Sequence, residues 1–301
     1  MAKDTYLARY TYIINRLEKG PATFEQLRDY LRRASEIDGR EFSFSIRTLQ
    51  RDIRDISAQL NIEIENDRKG DRRYRIVDRQ DDSGFGSRIL DTYQILQAIN
   101  ASHAFQDVVF MEARQPRGLE HFHGLLHAIR NKRIAAFSHQ KYSETATTNR
   151  IVHPLALKEA LGRWYLIAVD TKDRKLKTFG LDRITDLIVQ SQVFKENYTL
   201  NFKEKYRHSF GILTGEGLKE ERILLRFDRE QGQYVRTYPL HQTQSIVEEN
   251  ETHIWIELSM FITYDLVKEL LSYGSSLLVE EPVSLRNRMK LIFQNALNQY
   301  L

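Results

Sequence analysis

The segment between residues 45 and 77 constrains the fold of this chain more than any other stretch of its sequence. After Ser45, a good helix N-cap, apolar side chains recur at 3.6-residue spacing as far as Leu60, while arginine and glutamine occupy the opposite face. Residues 62–77 then predict a strand, a turn around Gly70 and a return strand rich in arginine. The segment therefore predicts an amphipathic helix that leads directly into a basic hairpin.

Two more helices are predicted before this segment. Apolar residues recur at helical spacing over residues 5–18, Gly20 and Pro21 end that helix, and a second helix is predicted to begin after Thr23. Three helices followed by a basic hairpin is the order of a winged helix-turn-helix. In that fold one helix enters the major groove, and the hairpin cations can contact phosphates or the minor groove. The alternative is a surface helix whose arginines are solvated.

Residues 45–53 resemble the recognition helix of DeoR-type bacterial regulators. The resemblance implies DNA contacts from four residues of that helix, namely Arg47, Thr48, Gln50 and Arg51. The full set of expected DNA-binding residues is Ser45, Arg47, Thr48, Gln50, Arg51, Arg54, Arg68, Lys69, Arg72 and Arg73. Two acidic residues of the same helix, Asp52 and Asp55, are expected to be helix-internal ion-pair partners rather than catalytic groups.

Composition and charge narrow the possible functions. The sequence contains no cysteine, which excludes disulfides, thiolate zinc sites and cysteine nucleophiles. No apolar run approaches the roughly 18 residues of a membrane span and we find no signal peptide, so we expect a cytoplasmic protein without a membrane partner. Residues 1–80 contain 17 Lys and Arg against 14 Asp and Glu, a surplus of three out of the formal net charge of +4. This asymmetry favours a polyanionic partner at the N-terminal end.

The middle of the chain predicts a hinge and a helical segment. Residues 79–87 are polar and rich in glycine and serine, and residues 89–130 follow a helical pattern that is expected to pair two chains into a homodimer. Three histidines in this segment, His121, His123 and His127, could bind a metal because two of them lie four residues apart. A surface helix that happens to contain histidine is the favoured alternative, so no metal and no cofactor is expected.

Five short strands are predicted next, over residues 134–139, 150–157, 161–170, 175–181 and 184–190, and their close spacing predicts a small barrel. Two motifs, Gly162 to Leu166 and Lys177 to Ile184, resemble the WYL domain, and so does the upstream run from His153 to Leu157. The WYL domain has an Sm/SH3-like β-barrel fold. The whole chain, taken in order, resembles a WYL-domain transcriptional regulator.

The resemblance implies a pocket that senses a nucleic-acid or nucleotide-like anion. The expected effector-binding residues are Ser138, His139, His153, Arg163, Tyr165 and Arg183. Arginine can grip phosphate with two nitrogens, protonated histidine adds charge, and tyrosine can stack on a base. Two residues depart from the family pattern: His139 stands where many members have tyrosine, and Gly180 stands where many have arginine.

The remaining residues predict alternating strands and helices, with strands over 222–227 and 253–260 and helices over 264–272 and after Ser284. This pattern predicts a ferredoxin-like α+β domain and resembles the C-terminal extension of WYL regulators.

The expected fold class is therefore α+β multidomain. The expected divisions are a winged helix-turn-helix at 1–78, a helical linker at 79–131, a WYL domain at 132–195 and an extension at 196–301. No phosphate loop, dinucleotide fingerprint or nucleophile elbow is present, so we expect no enzyme. The expected function is a ligand-responsive regulator that binds double-stranded DNA and an anionic effector, an oligonucleotide or a nucleotide. The alternative is a single-stranded nucleic-acid-binding accessory protein of a defence or repair system.

Overall fold

The computed structural model divides the chain into two compact units, residues 1–112 and residues 113–301. The residues that the structure describes are 2–38, 42, 44–60, 62–67, 70–79, 117–142, 146–215 and 217–301. The expected DNA-binding residues Arg68 and Lys69, and most of the expected dimerising segment, lie outside these described residues.

The first unit begins with three helices and a hairpin, in the order that the sequence predicts. Its elements are α1 (Ala2–Glu18), α2 (Phe24–Asp38), α3 (Ile46–Leu60), β1 (Ile62–Asn66) and β2 (Tyr74–Arg79). The two strands pair antiparallel, and Ala22, between α1 and α2, forms a bridge with Tyr74 through two backbone hydrogen bonds of 3.0 and 2.8 Å. The hairpin is therefore attached to the helices by its second strand.

A single apolar core holds these elements together. Side chains of all three helices are completely or almost completely buried in it, including Ile13, Leu27, Leu31, Leu49 and Ile56. Burying each such side chain stabilises a fold by about 1.5–3 kcal/mol, before the entropy of ordering the chain is counted. The apolar stripe of α3 thus faces inward, and its polar face is left at the surface.

The acidic residues of α3 accept their described hydrogen bonds from another helix, α1. Asp52 is completely buried and accepts hydrogen bonds from Nε and Nη2 of Arg9 in α1, the second at 2.8 Å. Asp55 accepts a hydrogen bond of 2.9 Å from the hydroxyl of Tyr10. Within α3, Nε of Arg51 lies 3.8 Å from Oδ1 of Asp52, so the expected helix-internal pairing is present in part. The hydrogen bonds described for both acids go to α1 instead, because Asp52 lies on the buried stripe between Leu49 and Ile56 and therefore faces α1.

The described part of the second unit starts with a short 3₁₀ turn at Leu119–His121, followed by a helix and five strands that the sequence predicts. They are α4 (Phe122–Arg130), β3 (Arg133–Gln140), β4 (Thr147–Ala160), β5 (Arg163–Asp170), β6 (Leu176–Gly180) and β7 (Ile184–Val193). The strands form one antiparallel sheet in the order β6-β5-β4-β3-β7.

The barrel that the resemblance implied is not found among the described residues. Strand β6 pairs only with β5 and β7 pairs only with β3, so the hydrogen-bonded sheet has two edges in the part of the chain described. A 3₁₀ turn at Leu181–Arg183 carries the chain from β6 at one edge of the sheet to β7 at the other. The hydrogen bonds among the described strands therefore form an open sheet and not a closed barrel.

Helix α4 belongs to this sheet rather than to a free linker. Leu125 and Ala128 are completely buried, and Leu125 shares a core with Phe137, Leu166 and Leu181 from the strands and the 3₁₀ turn. Three of the apolar residues that predicted a dimerising helix, Phe122, Leu125 and Ile129, therefore pack against the same chain, whereas Leu119 and Leu126 are exposed.

The C-terminal part contains a βαββαβ segment over residues 221–281, with one helix before it and one after it. Its elements are α5 (Phe202–Tyr206), β8 (Glu221–Asp228), α6 (Arg229–Thr237), β9 (Ser245–Glu249), β10 (His253–Met260), α7 (Tyr264–Ser272), β11 (Leu277–Glu281) and α8 (Val283–Leu297). The antiparallel sheet has the order β11-β8-β10-β9, and this element and strand order is that of the expected ferredoxin-like arrangement.

Candidate functional site

The outer face of α3 presents polar side chains to solvent. Arg47, Gln50, Arg51 and Arg54 are all exposed, whereas Leu49, Ile56 and Leu60 on the opposite face of the helix lie in the core. Arg54 donates from Nε to the backbone oxygen of Gln50 at 3.3 Å. The structure therefore brings four of the expected DNA-binding residues together on one surface.

Two other expected DNA-binding residues, Ser45 and Thr48, form the N-cap of α3. The Oγ of Ser45 accepts a hydrogen bond of 3.1 Å from the backbone N–H of Thr48, and the two hydroxyl oxygens lie 2.9 Å apart. A hydroxyl engaged in an N-cap stabilises the helix by about 1 kcal/mol. The capping geometry thus gives Ser45 a structural role of its own.

The described part of the hairpin also carries exposed cations. Arg72 and Arg73 are both exposed, and Nε of Arg73 lies 3.0 Å from a carboxylate oxygen of Asp71. Arg72 has a φ of 55°, which lies in the left-handed region, and the turn is stabilised by a hydrogen bond of 2.9 Å from the Gly70 N–H to Asp67.

A second polar cluster lies where β3 ends and the 3₁₀ turn begins. The carboxylate oxygen Oδ2 of Asp182 accepts hydrogen bonds from Nη1 of Arg163 at 2.6 Å and from the hydroxyl of Tyr142 at 2.9 Å. The guanidinium carbon of Arg183 lies 5.2 Å from the centre of the Tyr142 ring. The hydrogen bond that Nη1 of Arg163 donates to the Tyr142 hydroxyl, at 3.5 Å, and the neighbouring Asp182 carboxylate both raise the pKa of Arg163. The cluster contains two guanidinium groups and one carboxylate.

Gly180 makes room for this cluster. A Cβ atom at that position would lie 2.6 Å from Oδ1 of Asp182 and 2.7 Å from Nη2 of Arg183. Asp182 and Arg183 therefore pass directly over the backbone of Gly180. Glycine stands at position 180, where many WYL domains have arginine, and it allows this arrangement because a larger residue would displace the side chains of Asp182 and Arg183.

His139 lies beside the cluster and is almost completely buried, with 5% of its surface exposed. Neither ring nitrogen has a hydrogen-bond partner within the described structure, and its ring meets the edge of Phe179 at a centroid distance of 5.2 Å. Burial, together with the nearby charges of Arg183 and Arg150, lowers the pKa of His139 to about 4. The imidazole is therefore neutral at pH 7, so it can both donate and accept a hydrogen bond but adds no charge.

Two further expected residues lie close by. Tyr165 is half-buried on β5 opposite Gly180 of β6, and burial raises the pKa of its hydroxyl. Ser138 is opposite Thr185 of β7, two residues after Arg183, and its hydroxyl donates to the side chain of Asn149 at 3.2 Å. The structure thus places five of the six expected effector residues around the same end of the sheet.

His153 is the exception. It is opposite Val169, which is six residues along β5 from Arg163, or about 20 Å at roughly 3.3 Å per residue. Its ring stacks on Phe194 at 4.5 Å, its Nδ1 lies 2.7 Å from the hydroxyl of Tyr198, and burial lowers its pKa. His153 therefore belongs to a separate aromatic cluster, because the length of the strand separates it from the arginines.

Sequence reasoning did not assign Tyr142 or Asp182 to the site. Asp182 lies within the second WYL motif but is not among the expected effector residues, while Tyr142 follows the end of β3 and carries no motif signal. Their roles depend on a contact between residues 40 positions apart. Only the folded sheet shows that contact.

The histidines of α4 do not form a metal site in the described residues, where no group of three or more candidate ligands lies together. His123 and His127 are exposed along a shallow groove, and His121 contacts the backbone oxygen of Ile184 at 2.9 Å. In the same described part of the chain, none of the helices has the length and apolar composition to cross a membrane.

Comparison with known families agrees with this architecture. Residues 120–189 match the WYL domain, and this stretch begins just before α4 and runs through most of β7. The chain carries a WYL domain. Residues 219–297 match the WCX domain, which covers the βαββαβ segment and α8.

Solved structures and curated sequences add less detail. Proteasome accessory factor B/C (PafBC) of Arthrobacter aurescens aligns with 95% of this chain at 19% identity and a TM-score of 0.31, and this chain spans 45% of the PafBC chain. The alignment with a CRISPR Cas-related protein covers 88% of this chain and 76% of that protein's chain, at 11% identity and a TM-score of 0.39. No curated protein sequence matches.

Proposed function

We propose that this WYL-domain protein is a ligand-responsive transcriptional regulator that binds double-stranded DNA as a homodimer. The observation that carries the proposal is the exposed face of α3, where Arg47, Gln50 and Arg51 stand together. A helix fits the major groove, where arginine can pair with guanine and glutamine with adenine. In this role the chain binds DNA and a ligand and carries out no catalytic step.

The way in which α3 is held supports this role. The buried pair of Arg9 and Asp52 and the hydrogen bond from Tyr10 to Asp55 fix α3 to α1 over one turn of the helix. A reading surface on a helix with fixed neighbours keeps its side chains in register with the groove. The exposed Arg72 of the hairpin is available for a phosphate contact.

The cluster in the WYL domain supports an anionic effector. Arg163 and Arg183 carry two positive charges against the single carboxylate of Asp182, and His139 offers unpaired ring nitrogens at the buried end. Guanidinium groups bind phosphate or carboxylate through two parallel hydrogen bonds. The proposed effector is therefore an oligonucleotide or a nucleotide whose anion exchanges with the Asp182 contact.

Fluorescence anisotropy tests the DNA-binding proposal. We expect the purified chain to prefer duplex DNA from upstream of its own gene over a scrambled duplex, with a log–log salt slope of about −0.9 per phosphate contacted. The double substitution Arg47→Ala and Arg51→Ala should remove the preference, since each arginine–base pair contributes about 1–3 kcal/mol of discrimination.

Arg288→Ala is the control for the loss of positive charge, because Arg288 is exposed on α8 and lies outside the proposed interface. It should leave the preference for the native duplex unchanged. A double variant that still prefers the native duplex as strongly as the parent chain would show that α3 does not read DNA.

A second candidate function rests on the exposed ring of Tyr142. The ring is 76% exposed and lies against Arg183, which resembles the aromatic and cationic platforms that stack single-stranded bases. If this function applies, Arg183→Ala abolishes single-strand binding and the chain shows no duplex preference at any salt concentration. Retention of duplex preference in that variant supports the regulator instead.

The homodimer has its own test. Two reading heads per molecule would match a near-palindromic site whose halves are about one helical turn apart. Sedimentation or light scattering at micromolar concentration should give twice the chain mass of 35.6 kDa. A single-chain mass under these conditions contradicts the dimer and leaves the test of α3 unaffected.

A further inference from the structure

The ring of Tyr6 in α1 lies close to two arginines that belong to different helices, Arg9 of α1 and Arg51 of α3. The guanidinium carbon of Arg9 is 5.3 Å from the centre of the Tyr6 ring, and that of Arg51 is 5.2 Å from it. Both distances are within the range of cation–π attraction. The Tyr6 ring is 38% exposed, so it lies at the rim of the first unit and not in its core.

The side chains of the two arginines differ in how far neighbouring groups fix their conformation. Arg9 is almost completely buried and both of its hydrogen bonds go to Asp52, so its position is set by the fold. Arg51 has half of its side chain exposed, and its Nε lies 3.8 Å from Oδ1 of Asp52, beyond direct hydrogen-bond distance. Tyr6 and Asp52 are therefore the described groups that restrict Arg51.

We propose that Tyr6 is a specificity-determining positioning residue, which holds Arg51 in the conformation that reads a base. This inference rests on the proposed duplex binding by α3. Arginine has many rotamers, and immobilising them on binding costs affinity, whereas a side chain ordered before binding avoids that cost. Asp52 holds Arg9 in place, and the guanidinium group of Arg9 contacts the Tyr6 ring. The Tyr6 ring is therefore held in position and restricts the guanidinium group of Arg51 that contacts it.

Arg47 provides the internal comparison. It is exposed on the same face of α3, but the described contacts of Tyr6 are to Arg9 and Arg51. A general weakening of α3 would change the contributions of Arg47 and Arg51 alike. A positioning role predicts coupling of Tyr6 to Arg51 alone.

The experiment is a pair of double-mutant cycles on the full chain. One cycle combines Tyr6→Leu with Arg51→Ala and the other combines Tyr6→Leu with Arg47→Ala, each measured on the native and the scrambled duplex. We expect Tyr6→Leu to weaken native-duplex binding by about twofold to fivefold and to leave scrambled-duplex binding unchanged. It should have no further effect once Arg51 is alanine, and its full effect when Arg47 is alanine.

Tyr6→Phe is the conservative variant and should retain native affinity, because the aromatic face is kept. In the free protein, the Nε–H proton of Arg51 should show a ring-current shift that Tyr6→Leu removes and Tyr6→Phe keeps. Equal effects of Tyr6→Leu in both cycles, or no ring-current shift, would overturn the positioning role while duplex binding stands. If the parent chain shows no duplex preference, the proposed function fails and the positioning role fails with it.

Discussion

Replacing Asp52 by asparagine should loosen α3 from α1. The carboxylate of Asp52 is 0% exposed and its partner Arg9 is 3% exposed, so the substitution leaves a buried guanidinium without a counter-charge. Breaking a buried pair in this way costs about 3–5 kcal/mol. At about 1.4 kcal/mol per factor of ten, the population of molecules with α3 detached should rise by about 10²- to 10⁴-fold.

Amide hydrogen exchange on the full chain measures this change directly, because it reports local opening of each element. The slow amides of α3 should exchange faster in Asp52→Asn by the same factor, while those of β4 and β5 in the second unit keep their rates. Asp55→Asn is the matched control. Asp55 is half-buried and accepts one hydrogen bond from Tyr10, which predicts a change of about 1 kcal/mol, or about fivefold.

The reasoning is refuted if Asp52→Asn accelerates exchange of the α3 amides by less than tenfold. That result would mean that Arg9 regains solvation without disturbing the packing of the helices. The double substitution Arg9→Met and Asp52→Leu gives the complementary measurement. Because two apolar side chains of similar volume leave no buried charge, the slow exchange of α3 should largely return.

The remaining predictions concern the second unit. Burial holds the pKa of His139 at about 4, below the roughly 6.5 of an unfolded chain, so the unfolded state binds more protons between these values. Stability should therefore be complete above pH 6.5 and fall by about 2 kcal/mol at pH 5, and the fall should be smaller in His139→Phe. Denaturant unfolding at both pH values measures this, and an equal loss in both proteins contradicts it. Gly118→Ala should destabilise the unit by about 2 kcal/mol or more, because φ is 86° and the new Cβ would lie 2.2 Å from the carbonyl carbon of Leu181. Gly124→Ala in α4 should instead stabilise it by about 0.5–1 kcal/mol, since the nearest atom is 3.5 Å away. Equal denaturant midpoints of unfolding for Gly118→Ala and Gly124→Ala would show that backbone conformation does not determine the effect of either substitution on stability.

The local elements were predictable because each depends on a short repeat in the sequence. The apolar stripe of α3 has the 3.6-residue period of a helix, and the strand from His253 to Met260 has the two-residue period of a strand with one buried face. The exposed face of α3 follows from the same period, since the residues that are not on the stripe must face solvent. The two WYL motifs located the sheet because both are short, continuous stretches: the first lies at the start of β5, and the second runs from β6 through the 3₁₀ turn to the start of β7.

The partners of individual side chains were not predictable from spacing. Asp52 pairs with a residue 43 positions earlier, and Asp182 with Tyr142 from 40 positions earlier. Both contacts depend on how helices or strands are placed against one another. The sequence pattern assigned Asp52 to its own helix because short-range spacing is all that a pattern can report.

The sequence by itself determined the order and kind of the elements, the basic face of α3 and the WYL motifs. The tertiary structure decided which residues share a site: it separated His153 from Arg163 along β5, and it placed Tyr142 and Asp182 between the two arginines. The physical reason is that secondary structure follows from neighbours within a few positions, whereas a binding site is assembled from side chains that only the packed sheet brings together.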